Sequence, residues 1–210
     1  MKPYCVIFDL DGTLVDSETL CHQAMVDLLP ELEQDAATLT RHYRGMKLAH
    51  ILSDLAETHG LPVPADFEPR YRKRVVELFE TRLEPIPGVP DMLARLKQPF
   101  CIASSGPLAK IQYALAVTGL ASYFGNRLFS AYEINSWKPE PDLFLHAAQI
   151  MGYDPDKCVV IEDSKVGVEA AKAAGMRAIQ FLPASHQHHH PYATPFDDMY
   201  SLPSILQRLT

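Results

Sequence analysis

At 210 residues, 47% hydrophobic and 21% charged, the chain has a globular composition able to bury one good core, or a core plus a small second unit. Its formal net charge of −7 argues against a nucleic-acid footprint, so an anionic ligand would have to be met by local cations. No apolar stretch approaches a membrane span, the N-terminus lacks a signal-peptide pattern, and Cys5, Cys21, Cys101 and Cys158 are scattered without CxxC spacing, a pattern that reads as cytoplasmic with no membrane partner.

The first element is Val6-Ile7-Phe8-Asp9-Leu10-Asp11-Gly12-Thr13, an apolar run that predicts a buried strand ending in two carboxylates. Side chains at i and i+2 of a strand point to the same side. At the C-terminal end of a strand in an α/β sheet, where ligands bind, Asp9 and Asp11 would share one site. Two like charges so close need a cation or a proton between them, and hard oxygen ligands suit Mg2+. The competing reading is a plain turn, made by Asp11-Gly12 and capped by Asp9.

Ser17 to about Leu83 carries helical periodicity, with Leu20, Ala24 and Leu28 on one face and Ile51, Leu52 and Leu55 on another. Gly60-Leu61-Pro62 ends one helix, and Arg70 to Leu83 predicts the last. The basic start of that helix (Arg70, Arg72, Lys73, Arg74) runs against the helix dipole, which hints at an anionic contact, although a solvated face explains it as well. Pro85-Ile86-Pro87-Gly88 closes the stretch. The expected division is a core of 1–15 with 85–210 and a helical unit of 16–84 over the strand ends, hinged near Asp16 and Glu84. From Val89 strands and helices alternate, with strands near 99–103, 127–131, 157–161 and 177–181. Such alternation implies right-handed crossovers and a parallel sheet.

Three later segments carry chemistry. Phe100-Cys101-Ile102-Ala103 predicts a strand running into Ser104-Ser105-Gly106, with Pro107 opening the next helix; hydroxyls and free amides at a helix start make an anion site, or simply a cap. Lys138 lies between Trp137 and Pro139 at another helix start. Val159-Val160-Ile161 predicts a strand ending in Glu162-Asp163-Ser164, followed by an amphipathic helix closed by Gly175. His186, His188, His189 and His190 form a short cluster between prolines; histidine tracts bind metals, but a solvated loop accounts for this one.

In this order, the DxDGTLVDSE opening, the strand with Ser104, KPxP with Lys138 and the strand with Glu162-Asp163 resemble the haloacid dehalogenase-like (HAD) hydrolase superfamily from about Tyr4 to Leu182. The resemblance is closer to the subfamily with a helical cap after the first motif, which holds β-phosphoglucomutases and sugar-phosphate phosphatases. It implies a Rossmann-like doubly wound parallel α/β sheet with a small helical cap domain. It also implies a Mg2+-dependent phosphatase acting on small phosphorylated metabolites. Asp9 would be the nucleophile, forming an aspartyl-phosphate, and Asp11 the general acid and base. Asp9, the main-chain carbonyl of Asp11 and Asp163 would hold Mg2+, with Glu162 near or on the metal. Ser104 and Lys138 would bind the transferring phosphoryl group, assisted by the amides of Ser105 and Gly106.

Asp11's alternating protonation predicts a pKa above that of a free aspartate. True haloacid dehalogenases carry tyrosine at the position of Asp11, so phosphorus chemistry is favoured. Phosphonate-cleaving members need a cap lysine, and neither Lys47 nor Lys73 sits in a matching pattern. The mutases carry an arginine shortly after the cap glycine; in Arg44-Gly45-Met46-Lys47-Leu48 a leucine stands there, which ranks a phosphotransferase second. Arg44 and Lys47 are candidate substrate contacts, with a solvent-facing surface as the alternative. This loop and Leu128–Phe144 look most like bacterial 6-phosphogluconate phosphatases. A non-catalytic binding module would be expected to lack one of Asp9, Asp11, Lys138 or Asp163, and all are present. A monomer or weak dimer is expected.

Overall fold

The computed structural model describes residues 4–183 and 189–209. Strand β1 (Cys5–Phe8) is followed by four helices, α1 (Glu18–Leu28), α2 (Ala36–Tyr43), α3 (Leu48–His59) and α4 (Phe67–Arg82). Then come α5 (Val89–Arg95), β2 (Phe100–Ser104), α6 (Leu108–Val117), α7 (Ala121–Phe124), β3 (Leu128–Ser130), α8 (Ala131–Ile134) and α9 (Asp142–Met151). The described chain ends with β4 (Cys158–Glu162), α10 (Lys165–Ala173), β5 (Arg177–Phe181), β6 (Thr194–Phe196) and α11 (Leu202–Gln207).

The six strands are parallel in the order β3-β2-β1-β4-β5-β6, the doubly wound sheet that the alternating pattern predicts. β1 lies at its centre, with Phe8 opposite Ile102 on one side and Ile161 on the other. Its four residues are fully buried. Val6 and Phe8 join a cluster with Met92, Ile111 and Phe124, whereas Cys5 and Ile7 join one with Phe144, Ala147 and Val168. Alternate side chains thus fill both faces of the sheet, which is why the strand reads as a continuous apolar run. Phe100 continues the first cluster, edge-on to both Phe8 and Phe124.

The chain order reverses between β1 and β4, the topological switch point where open α/β sheets place their ligands. β6 lies outside the strands that the sequence predicts. It is three residues long, sits at the sheet edge and contains Pro195, and proline is tolerated in sheets mainly at such edges.

Helices α1 to α4 leave and rejoin the core at one place. Val15 bridges Pro85 in antiparallel fashion, and the Asp16 amide donates to the Glu84 carbonyl (3.1 Å), so the two expected hinge residues are neighbours. Met25, Leu29, Leu39, Tyr43, Ile51, Leu55 and Phe67 form an apolar cluster of their own within this insertion. Leu20, Ala24, Val75, Leu78 and Phe79 instead join the cluster on the sheet face. α4 begins at Phe67, earlier than Arg70; Pro69 falls in its first turn, where a backbone N–H has no helical partner to lose. Gly60 closes α3 with φ +62°, as the Gly-Leu-Pro signal predicts. Among the described residues no helix is long and apolar enough to cross a membrane.

Candidate active site

The candidate groups of the core stand at the C-terminal ends of the central strands. Asp9 follows β1, Ser104 ends β2, and Glu162 ends β4 with Asp163 next to it. Lys138 precedes α9 and is buried, its Nζ donating to Asp9 Oδ1 (2.5 Å) and Glu162 Oε1 (2.7 Å). The other oxygen of Glu162 accepts from the Ser164 amide (2.7 Å) and hydroxyl (2.8 Å). Glu162, expected near or on a metal, thus has both oxygens on protein donors, as Asp163 also does. Ser164 is also the N-cap of α10, accepting from the Gly167 amide (3.1 Å). The helix backbone presses on the carboxylate here: a Cβ on Gly167 would lie 1.9 Å from Glu162 Oε1.

Asp163 is buried and accepts from Thr13 Oγ1 (3.1 Å) and Arg44 Nη1 (2.7 Å). Burial and the neighbouring Glu162 charge push its carboxyl up to about 6, against the pull of Arg44 and Thr13. Burial also raises Asp9 well above the usual carboxylate range; Lys138 opposes this, while Glu162, Asp163 and Asp11 add to it. Burial disfavours the Lys138 ammonium, but Asp9 and Glu162 outweigh it and hold the lysine charged.

Asp11 departs from expectation. Burial raises its carboxyl, but the charge and hydrogen bond of Lys110, with a hydrogen bond from Ser17, outweigh burial and leave it below a free aspartate. Lys110 Nζ donates to Asp11 Oδ1 at 2.7 Å, and the Ser17 hydroxyl donates to the same oxygen. Oδ2 faces the Ser104 hydroxyl at 3.5 Å, and Ser104 Oγ accepts from the Gly106 amide (3.0 Å). The anticipated rise ignored Lys110, which tertiary structure brings to Asp11 from the first turn of α6. A basic residue in a helix's first turn opposes the dipole, so a signal existed in the sequence.

The insertion reaches into this site. Arg44 Nη1 also lies 2.8 Å from Glu18 Oε2, and the Gly45 amide donates to Glu18 Oε1 (2.9 Å). Gly45 has φ +73° and approaches so closely that a Cβ would meet the Ser164 side chain at 2.6 Å. Lys47 Nζ stands 3.3 Å from the centroid of the Trp137 ring, next to Lys138 in sequence. Arg44 and Lys47 therefore lie against the core rather than facing solvent. Of the basic residues opening α4, Arg72 lines the cavity while pairing with Glu68, Arg70 and Arg74 pair with surface acids, and Lys73 is exposed.

Between strand ends and insertion lies a cavity of about 600 Å3. Asp9, Asp11, Lys138, Ser105 and Gly106 line its polar end; Met25, Ile51, Tyr71, Val75 and Phe79 line the insertion side. His22 lies there too, its Nδ1 3.0 Å from Thr40 Oγ1, with burial lowering its pKa to about 4. The cavity lies within the usual size range of small-molecule sites, roughly 300–1,000 Å3.

Among the described residues no three Asp, Glu, His or Cys side chains converge as a self-contained metal cage. Mg2+ does not require one; it is commonly held by one or two carboxylates plus waters and substrate phosphate oxygens. Asp9 and Asp163 fit that role, because burial and like-charge repulsion disfavour their ionised forms and a divalent cation relieves both. Of the histidine cluster, His186 and His188 lie outside the described residues. His189 Nε2 lies 2.8 Å from the Ala193 carbonyl, and the His190 amide donates to Gln180 Oε1.

A family profile described as haloacid dehalogenase-like hydrolase matches residues 5–175. The 6-phosphogluconate phosphatase of Escherichia coli is 35% identical over 95% of this chain and 93% of its own. A conserved haloacid dehalogenase-like protein of Agrobacterium tumefaciens superposes with a TM-score of 0.85 at 32% identity, covering 99% of each chain. A HAD family hydrolase of Deinococcus radiodurans, solved with bound phosphate and sodium, superposes with a TM-score of 0.79 at 30% identity, over 98% of this chain and 96% of that one.

Proposed function

We propose a catalytic cycle and a substrate class for this chain, which belongs to the haloacid dehalogenase-like hydrolase family and is a phosphoric monoester hydrolase. An Asp9 oxygen attacks phosphorus as the ester P–O bond breaks, giving an aspartyl-phosphate and splitting one hard displacement into two. Asp11 passes a proton to the departing alkoxide, then takes one from the water that hydrolyses the intermediate. A phosphate dianion arriving beside Asp11 favours its protonated form, so the substrate loads the acid that its own leaving group needs. Ser104, Lys138 and the amides of Ser105 and Gly106 receive the phosphoryl oxygens, the positioning and charge stabilisation on which phosphoryl transfer depends.

Mg2+, held by Asp9, the Asp11 main-chain carbonyl and Asp163, would neutralise repulsion between the nucleophile and the phosphoryl oxygens. Glu162 acts on Lys138, holding it against Asp9. The observation that carries this reading is the convergence of Asp9, Asp11, Lys138 and Asp163 on one end of the sheet, beside a cavity large enough for a metabolite.

Residues 16–84 form a cap domain over that cavity, turning about Asp16 and Glu84 to exclude water and to release product. Phosphorylated sugars or sugar acids are the proposed substrates, with 6-phosphogluconate first. The identity with the Escherichia coli phosphatase supports that choice, as do Lys47 and Arg72 on the cavity wall, which could meet a sugar acid's carboxylate. Leu48, also on that wall, offers no grip on a second phosphate, which weighs against a mutase. Four free cysteines, three of them buried, accord with a reducing cytoplasm.

The test is phosphate release across a panel including 6-phosphogluconate and β-glucose 1-phosphate, with and without Mg2+. Metal-dependent release led by 6-phosphogluconate is expected. Conversion of β-glucose 1-phosphate into glucose 6-phosphate without release would replace the phosphatase with a phosphotransferase.

A further inference from the structure

Two lysines, Lys138 buried and Lys110 partly exposed, divide the two catalytic aspartates between them. Lys138 contacts Asp9 and Glu162, whereas Lys110 contacts Asp11. Lys110 is the third residue of α6, where a cation opposes the helix dipole, so its position is not explained by helix stability. Its stem follows the glycine loop closely, a Cβ on Gly106 lying 3.4 Å from Lys110 Cδ, and its ammonium sits 5.9 Å from the Phe79 ring of the insertion. With Ser17 on the same atom, Lys110 fills Asp11 Oδ1 and leaves Oδ2 toward Ser104, the hydroxyl next to the phosphoryl site.

We propose that Lys110 is a positioning residue that locks the Asp11 carboxylate so that Oδ2 carries out both proton transfers. The inference rests on the phosphatase cycle above. In the first half-reaction the Oδ2 proton passes to the leaving oxygen as its bond to phosphorus breaks. In the second, Oδ2 takes a proton from water as the water oxygen bonds to phosphorus. Lys110 keeps its own protons throughout; its task is to prevent the carboxylate from rotating away.

The experiment compares wild type, Lys110→Met and Lys110→Arg, each with Mg2+, on the best sugar phosphate of the panel and on p-nitrophenyl phosphate. Nitrophenolate leaves without needing a proton, so kcat/KM for that ester should hardly depend on a well-placed acid. General acid catalysis contributes about 10²–10⁴-fold. Lys110→Met should therefore lower kcat/KM by roughly 100-fold for the sugar phosphate and by less than about 5-fold for the aryl ester. Lys110→Arg should restore much of the loss, and inhibition by inorganic phosphate should stay unchanged. Placed on Asp11→Asn, Lys110→Met should cost nothing further.

Equal losses on both esters, weaker phosphate inhibition, or unaltered kinetics in Lys110→Met would each overturn the proposal while the phosphatase reading stands. A wild type inert toward every ester would overturn that reading instead.

Discussion

At the scale of single residues, the site is a problem of charge. Asp9, Asp11, Glu162 and Asp163 are met by Lys138, Lys110 and Arg44, each cation paired to particular oxygens. Breaking the buried pairs of Lys138 leaves an unmet charge and costs about 3–5 kcal/mol, so that lysine constrains the fold as well as the chemistry. The aspartates were legible from local pattern, because each carboxylate ends an apolar strand and strand ends converge, whereas Lys138 gained its role only from the family resemblance. Lys110 and Ser17 were not legible as partners of Asp11: a cation in a helix's first turn hints at a nearby anion, but nothing local brings residue 110 to residue 11.

His22 gives a separate test of burial. Its pKa is lowered to about 4 by desolvation, so as pH falls the unfolded chain takes up this proton first, near 6.5. Its contribution is intact above pH 6.5 and drains away as pH falls toward 4, by up to about 3 kcal/mol. Urea unfolding at pH 7 and pH 4.5 should show wild type losing more stability on acidification than His22→Gln. Parallel losses in the two proteins would mean that His22 is not held neutral.

At the scale of elements, helix starts and strand ends do the placing. α10 approaches β4 so closely that Gly167 leaves no room for a methyl group beside Glu162. Gly167→Ala must displace that carboxylate and with it the partner of Lys138. Overpacking costs typically 1–3 kcal/mol, and phosphatase activity should fall by at least about tenfold, more than the stability loss accounts for. Normal kinetics in Gly167→Ala would show that Glu162 does not orient Lys138. Parallel strands that are apolar on both faces were easy to read, whereas β6, short and carrying Pro195 at an edge, has no periodicity to detect. α4 starts three residues before Arg70, with Pro69 in a first helical turn that tolerates it.

At the scale of the whole molecule, the insertion meets the core through a few defined contacts. Lys47 rests on Trp137, the chain's single tryptophan, which packs edge-on against Tyr132. A cation–π contact is worth about 0.5–2 kcal/mol. If closure of the insertion depends on it, Lys47→Met should raise KM by about 5-fold, since each 1.4 kcal/mol is tenfold, with a loss of melting temperature of no more than a few degrees. The tryptophan emission should change in the same variant. Unchanged KM and emission would remove Lys47 from the closing contact. The insertion itself was legible as a strand-free stretch, but not how it packs. Part of it builds its own cluster and part shares the sheet's, a division that depends on which helix faces meet.

The central claim is that Asp9 accepts the phosphoryl group. It is tested most directly by Asp9→Asn, measured for phosphate release with Mg2+ from the best substrate of the panel, alongside its melting temperature. Asp9→Asn should give a folded protein whose kcat falls by about 10⁴-fold or more, the scale seen when a covalent nucleophile is removed. A folded Asp9→Asn protein that hydrolyses the ester at the wild-type rate would contradict it.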